Sequence, residues 1–390
     1  MSLAPAPPAE GLVERAAGLV PMLRETASAT ESDRRLSPAH FEALSEAGVF
    51  RMCMPRRFGG YEADFQTQCD VLAEIARGCP SSSWVSTIFS AMGWLTAVFP
   101  DEAQEEVFAD GDARISGGLA PSGTAISKDG GVVVNGRWAF NTGCHGARWT
   151  IANTILATDD GAGVPISVVM PTSELTIVDD WYASGMAGTG SNTVVAEDVF
   201  VPAYRTMPLP AMTEARYPER HNSSGPYFNH PFATVLVVNA GGTPVGIAQG
   251  AFEAFLERLP GRGITFTNYT SQAEAPVTHL TVGEAALMVD SALAHVRSAC
   301  AILDTRTGDL SVAERVKARA HVSHATGLAR QAVDRLFSAS GATAIQPHVP
   351  IQRFQRDIQA LANHAIMSPS TTTELYGRLL VGLEPNTTIY

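Results

Sequence analysis

Three residues near the end of the chain, Asp357, Leu361 and His364, are spaced i, i+4 and i+7. In a helix that spacing puts an acid, an apolar residue and an imidazole on one face. The segment Arg353-Phe354-Gln355-Arg356-Asp357-Ile358-Gln359-Ala360-Leu361-Ala362-Asn363-His364 reads as such a helix, with polar residues where a purely structural helix prefers apolar ones. His364 is then either a core residue bonded to Asp357 or a backbone carbonyl, or an acid/base group. Its ordinary pKa near ~6.5 suits proton transfer at neutral pH.

A second set lies mid-chain. Trp138-Ala139-Phe140-Asn141-Thr142-Gly143-Cys144-His145 ends a strand and opens a turn. It gathers an aromatic, an amide, a hydroxyl and a glycine N–H, which together can hydrogen-bond the edge of a planar heterocycle and cover its face. The plainer reading is a hairpin corner with a core Trp. Gly188-Thr189-Gly190-Ser191-Asn192-Thr193 is another polar loop, whose N–H groups and hydroxyls suit a phosphate. It is no Rossmann fingerprint, and no Walker motif, Gly-x-Ser-x-Gly elbow or His-Glu-x-x-His is present. The five cysteines (Cys53, Cys69, Cys79, Cys144, Cys300) are scattered, and no His/Cys cluster has metal spacing. Cys144 reads as a small apolar filler.

Composition narrows the partners. The 390 residues are 45% hydrophobic and 17% charged, enough for a large core in two or three domains. Net charge is −12 with no Lys/Arg block, which argues against nucleic acid and anionic membranes. Met1 to Glu10 is Ala/Pro-rich and lacks the pattern of a signal peptide, and no apolar run reaches membrane-spanning length. These features point to a reduced cytoplasm.

The elements that must position these residues fall into three blocks. Residues 1–111 read as helical, with Ser37 capping a helix begun by Pro38. Residues 112–230 carry near-period-2 strands from about Asp112 to Met207, then an irregular stretch. There Gly117 to Gly123 reads as a loop and Lys128-Asp129-Gly130-Gly131 as a hairpin turn. Residues 231–390 read as four long helices: Phe232 to Leu259, Thr281 to Thr305, Ser311 to Ser338, and Ile351 to the tail.

Helix–β–helix order with Arg56-Arg57-Phe58-Gly59-Gly60, Gly136 to Gly143, Gly188-Thr189-Gly190-Ser191, Val199-Phe200-Val201-Pro202 and Gln352 to Asp357 resembles the acyl-CoA dehydrogenase superfamily. The resemblance implies an α+β chain of that fold: an N-terminal helical domain, a middle β-barrel or sandwich, and a C-terminal four-helix bundle. The dehydrogenases place a catalytic Glu eight residues after this Asp, which here is Ala365; their other Glu position matches Val235-Leu236-Val237-Val238, without a carboxylate. Desaturation is therefore disfavoured.

The chain is more similar to the superfamily's two-component flavin monooxygenases, which place an active-site histidine at the position of His364. That branch implies reduced FMN or FAD from a separate NAD(P)H-dependent reductase, O2, a C4a-hydroperoxyflavin and a homotetramer. The expected reaction is hydroxylation of an aromatic or polyketide-like small molecule. N-oxygenation of an amine or amino sugar, and a flavin-binding protein without turnover, stand as alternatives. The implied catalytic residues are His364, Asn141 and Thr142. Trp138, Asn141, Thr142, Gly143, Thr189, Gly190, Ser191 and Arg356 would hold the flavin, and Trp84, Phe89, Met92 and His145 would face substrate. Met92 stands where the compared aromatic hydroxylases carry a second histidine, and the Arg-x-x-Phe segment that binds the adenine half of FAD is poorly matched near Arg262 to Gln272.

Overall fold

In the computed structural model, residues 10–390 apart from 159, 307 and 388 are described; Met1 to Ala9 lie outside them. The first block forms six helices: α1 (Leu12–Gly18), α2 (Val20–Ser32), α3 (Pro38–Glu46), α4 (Phe65–Gly78), α5 (Pro80–Thr96) and α6 (Asp101–Val107). α5 carries no charged side chain, and every residue but Ile88 is buried. Of its hydroxyls, Ser86, Thr87 and Thr96 donate to the carbonyl four residues back, and Ser83 donates to the Leu72 carbonyl of α4. Asp64 caps α4 by accepting the Thr67 N–H at 2.6 Å. Ser37 holds the N-cap position of α3, but its hydroxyl bonds to His40 Nδ1 at 2.8 Å instead of a backbone N–H.

The middle block is one mixed sheet of β1 (Ile115–Lys128), β2 (Gly131–Trp138), β3 (Trp149–Leu156), β4 (Val164–Pro171), β5 (Thr176–Val178), β6 (Thr193–Pro202) and β7 (Thr206–Pro208). The strand order is β5-β6-β2-β1-β3-β4-β7. β1 and β3 run parallel, and the remaining neighbours antiparallel. The sheet curls until β4 touches β6, and Val134, Trp138, Val168, Met170, Val194 and Val201 fill the space it encloses. Gly117 to Gly123, read as a loop, lies inside β1. Pairing with β3 carries the strand through, with a register shift between Gly118 and Gly123.

The last blocks begin with α7 (Leu209–Glu214) and α8 (Phe232–Asn239). They continue with α9 (Gly242–Glu257), α10 (Pro276–Asp304), α11 (Val312–Ala339), α12 (Ile351–Ala362) and α13 (Pro369–Leu380). The long helix expected over Phe232 to Leu259 breaks at 240–241, because Pro244 has no N–H to offer the Ala240 carbonyl. Beyond the break, Gly242 and Gly246 set α9 directly on α4: a Cβ on either would meet the carbonyl oxygen of Cys69 or Ala73 at 2.2 or 2.0 Å.

Two stretches, Phe232–Glu257 and Pro276–Asp304, have the length and mean hydropathy to cross a membrane. This departs from the sequence expectation, because Ala, Val and Leu keep the average high without an unbroken apolar run. The first is buried inside the protein, whereas α10 shows an outer face with Val277, Leu280 and Leu287 exposed.

α12 is tied across the molecule to α2. Glu31 accepts from Arg353 Nε at 3.1 Å and pairs with Arg356 Nη1. Burial alone would raise the Glu31 pKa, but the two guanidiniums prevail and hold it below the ordinary 4.5. A depressed carboxylate stabilises the fold above its unfolded pKa and loses that contribution as pH falls through the folded value. Glu31→Gln should therefore lower stability at pH 7 by about 1–2 kcal/mol, less than for a fully buried pair because Arg356 stays partly hydrated. Thermal melts of variant and parent should converge only once acidification passes below the depressed folded value, under the ordinary 4.5, where Glu31 is protonated in both states.

Candidate active site

α12 does not carry His364. The helix ends at Ala362 and tightens into i→i+3 bonds, with Asn363 N–H donating to Ala360, His364 N–H to Leu361 and Met367 N–H to His364. His364 thus sits on a turn, and the shared face with Asp357 is broken there. This 364–366 turn separates two cavities. His364 lines one of about 300 Å³ and Ala365 and Ile366 line another of about 560 Å³.

The smaller cavity is a cleft between sheet loops and the end of α12. Trp84 of α5, Phe140 and Trp181 supply aromatic walls; Thr142, Thr189 and Ser191 supply hydroxyls; Ala360, Leu361 and His364 close the far side. The Trp84 and His364 rings meet edge to face at 5.2 Å, and Phe140 and Trp181 do so at 5.7 Å. Phe140 is 72% exposed and holds φ +58°, a conformation uncommon for a bulky residue that turns its ring into the cleft mouth.

The hydroxyls form a directed chain. Thr189 Oγ1 donates to the Met186 carbonyl at 2.8 Å, so Ser191 Oγ must donate to Thr189 at 2.7 Å, and Thr142 Oγ1 to Ser191 at 2.7 Å. Thr142 therefore keeps only lone pairs for a bound group.

His364 has neither of the structural partners the sequence allowed, Asp357 or a backbone carbonyl. Its Nδ1 accepts the Ile366 N–H at 3.4 Å, which assigns the hydrogen of the neutral ring to Nε2. Its surface is open to solvent in the cleft, yet protein surrounds the ring closely enough that desolvation lowers its pKa. The uncharged ring is thereby favoured, and His364 is neutral at pH 7.

Asp357 holds the cleft floor instead. It accepts the N–H of Met186 at 2.5 Å, where Met186 has φ +55°. Gly185 beside it lets the loop lie on α12, since a Cβ there would meet the Arg356 carbonyl oxygen at 2.2 Å. Arg356 binds from behind, through Nη1 to the Ser184 carbonyl at 2.7 Å and Nε to Gln352 at 2.9 Å, and does not line the cleft.

The structure brings Trp84, Thr142, Thr189, Ser191 and His364 of the expected set together in this cleft. Others point elsewhere. Trp138 follows the inward parity of Val132 and Val134 on β2, is 1% exposed, and donates its indole N–H to the Asn153 carbonyl at 2.8 Å. Phe89 packs on Phe41 and Phe50, Met92 packs on Gly117, and His145 Nε2 bonds to Asn192 at 3.1 Å. The N–H groups expected of Gly143 and Gly190 are spent on the Thr189 and Ala187 carbonyls. Asn141 is fully buried toward Gly118, with neither amide atom paired. Cys144 is a buried filler, its thiol pushed up to about 12 by desolvation. Sequence reasoning did not assign Phe140 or Trp181 to the site. Phe140 lay within the motif, but its positive φ has no sequence signature.

The larger cavity lies between the sheet and the bundle. Leu119, Leu209, Met212, Phe232, Leu236 and Ile366 make its apolar wall, with Asn153, Thr213 and Arg319 as polar members. Neither cavity is lined by an Asp or Glu. A carboxylate base for desaturation is therefore missing from both.

The family models "Acyl-CoA dehydrogenase, N-terminal domain" and "Acyl-CoA dehydrogenase, C-terminal domain" match residues 16–111 and 239–369. The oxygenase subunit HsaA of a flavin-dependent monooxygenase from Rhodococcus jostii is 35% identical, over 95% of this chain and 98% of its own. The chain belongs to this family of flavin-dependent monooxygenases on the acyl-CoA dehydrogenase fold. The oxygenase component of a FADH2-dependent resorcinol hydroxylase from Rhizobium is also 35% identical, over 99% of this chain and 98% of its own. The structure of XiaF from Streptomyces with FADH2 and glycerol superposes with a TM-score of 0.90 at 30% identity, covering 97% of each chain. As in those monooxygenases, this chain is an oxygenase component and not a dehydrogenase.

The buried Asp357 carboxyl gives this site a testable pH signature. Desolvation pushes its pKa up to about 7, against the opposing Met186 N–H. A raised carboxyl pKa means that stability is fully present below the unfolded value, ~3.8, and is lost as pH rises through ~7. Thermal melts should fall as pH rises from ~4 to ~7 and level off above it, and Asp357→Asn, which still accepts the Met186 N–H, should flatten that fall. An unchanged slope in the variant would contradict the assignment.

Proposed function

We propose that this chain binds reduced flavin in the smaller cleft, takes O2, and hydroxylates an aromatic small molecule. The observation that carries the reading is the union of aromatic walls, a hydroxyl chain and a neutral His364 in a cleft without carboxylates. At about 300 Å³, open at one side, the cleft is at the lower end of small-molecule sites and suits a ring whose tail leaves it. FMN and FAD both meet that condition. When bound, reduced flavin supplies the electrons that activate O2 for transfer of one oxygen atom.

The residues would act as follows. Thr142 Oγ1, committed as a donor to Ser191, accepts from a ring N–H, which reduced flavin has at N5 and oxidised flavin lacks. Phe140 and Trp181 cover the ring's outer side, and Trp84 closes the inner one, excluding water. Asn141, with its unpaired amide, and the loop glycines Gly143 and Gly190 position Thr142 and Ser191 from behind. His364 would donate its Nε2–H to oxygen as negative charge develops there, a role the Nε2–H tautomer supplies.

A separate NAD(P)H-dependent reductase would supply the flavin. The exposed apolar residues of α10, with Leu380 at the end of α13 and Val381 and Leu383 beyond it, would be covered by self-association into a homotetramer. Five free buried cysteines suit a reducing cytoplasm.

His364→Ala should slow product formation about 10²-fold or more and raise hydrogen peroxide release per flavin oxidised. Coupling equal to the parent's would sink the role of His364. Thr142→Val should weaken reduced flavin about tenfold while changing oxidised flavin little, in anaerobic fluorescence titrations. Equal losses for both redox states would contradict the acceptor role.

A further inference from the structure

Arg319 is the odd residue of the larger cavity. It lies on α11, is 7% exposed, and lines a wall otherwise mostly apolar. A guanidinium has five N–H donors. Nη2 donates to the Ala365 carbonyl at 3.0 Å and Nη1 to the Ile389 carbonyl, while Nε has no partner. Among the described residues no Asp or Glu pairs with it, and desolvation alone lowers its pKa. A buried cation held only by neutral carbonyls is costly, and a cavity that keeps one is complementary to an anion.

The surroundings say what else that anion carries. The wall of Leu119, Leu209, Met212, Phe232 and Leu236 offers area to a hydrocarbon or ring system, and about 560 Å³ is ample for two fused rings. The same Arg319 holds the Ala365 carbonyl, one residue from His364. A molecule anchored at Arg319 therefore lies against the turn whose other side borders the cleft.

We propose that the larger cavity is the substrate chamber and that Arg319 selects a substrate bearing a carboxylate, an aromatic acid whose anionic group pairs with the free edge of the guanidinium. This rests on the monooxygenase reading and names its substrate class. A mere strut pinning the tail would need only the two carbonyl bonds; a guanidinium that also lines the cavity, with donors left over and no paired acid among the described residues, is what a ligand carboxylate would satisfy.

The test is binding to the full chain without flavin, by calorimetry, of 6-hydroxy-2-naphthoate against its neutral isostere 6-hydroxy-2-naphthamide. The acid should bind about 10- to 100-fold more tightly. Arg319→Gln should erase that preference and Arg319→Lys should keep part of it. Equal affinities for the parent, no measurable binding of the acid, or a preference that survives in Arg319→Gln would overturn the proposal. If Arg319→Gln fails to fold, by circular dichroism, the parent's two affinities and Arg319→Lys still decide. The measurement involves neither flavin nor oxygen, so its failure leaves the monooxygenase reading to its own test on His364.

Discussion

The hydrogen bond from the Met186 N–H to Asp357 sets the geometry of the site. It joins α12, the helix whose end lines the cleft from the bundle side, to the sheet loop that supplies its hydroxyls. Met186 gives its carbonyl to Thr189, Thr189 orders Ser191, and Ser191 orders Thr142. On the other side, α12 ends five residues beyond Asp357, and its unwinding places His364. One buried carboxyl thus fixes both walls. Its partner residues on the same helix, Arg353 and Arg356, anchor it through Glu31 to α2. The polar face of α12, unusual for a bundle helix, is a clamp.

The clamp also divides labour between charge and neutrality. The carboxylates near the site are turned away from it, into the clamp, and the cleft is left with hydroxyls, aromatic rings and a neutral imidazole. Such a site can donate hydrogen bonds to oxygen and exclude water, and cannot pull a proton from carbon with a carboxylate. The absence of an acid from the lining of both cavities is the physical difference between this chain and the dehydrogenases whose fold it shares.

Much of this was legible in the sequence. The three-block order and the hairpin at Asp129-Gly130 follow from local patterns, and His364 beside Ala365, at the dehydrogenases' base position, follows from the family resemblance. Other features depend on tertiary partners. Gly117 to Gly123 has the composition of a loop, and only pairing with β3 makes it strand. Trp138 attracted a role beside polar neighbours, although the inward parity of Val132 and Val134 already directed it to the core. Phe140 and Trp181 enter the site through loop geometry that no residue type announces. Arg319 looks like any helix cation until the fold buries it, with no Asp or Glu paired to it among the described residues.

The central claim is that reduced flavin lies between the Phe140–Trp181 pair and the His364 turn, with Thr142 at its N5 edge. A crystal structure of the chain grown anaerobically with reduced FMN tests this most directly. The account predicts ring density in that cleft, with the Thr142 hydroxyl within hydrogen-bond distance of N5 and His364 across the ring. Ring density elsewhere, or a ring in the cleft with N5 turned away from Thr142, would contradict it.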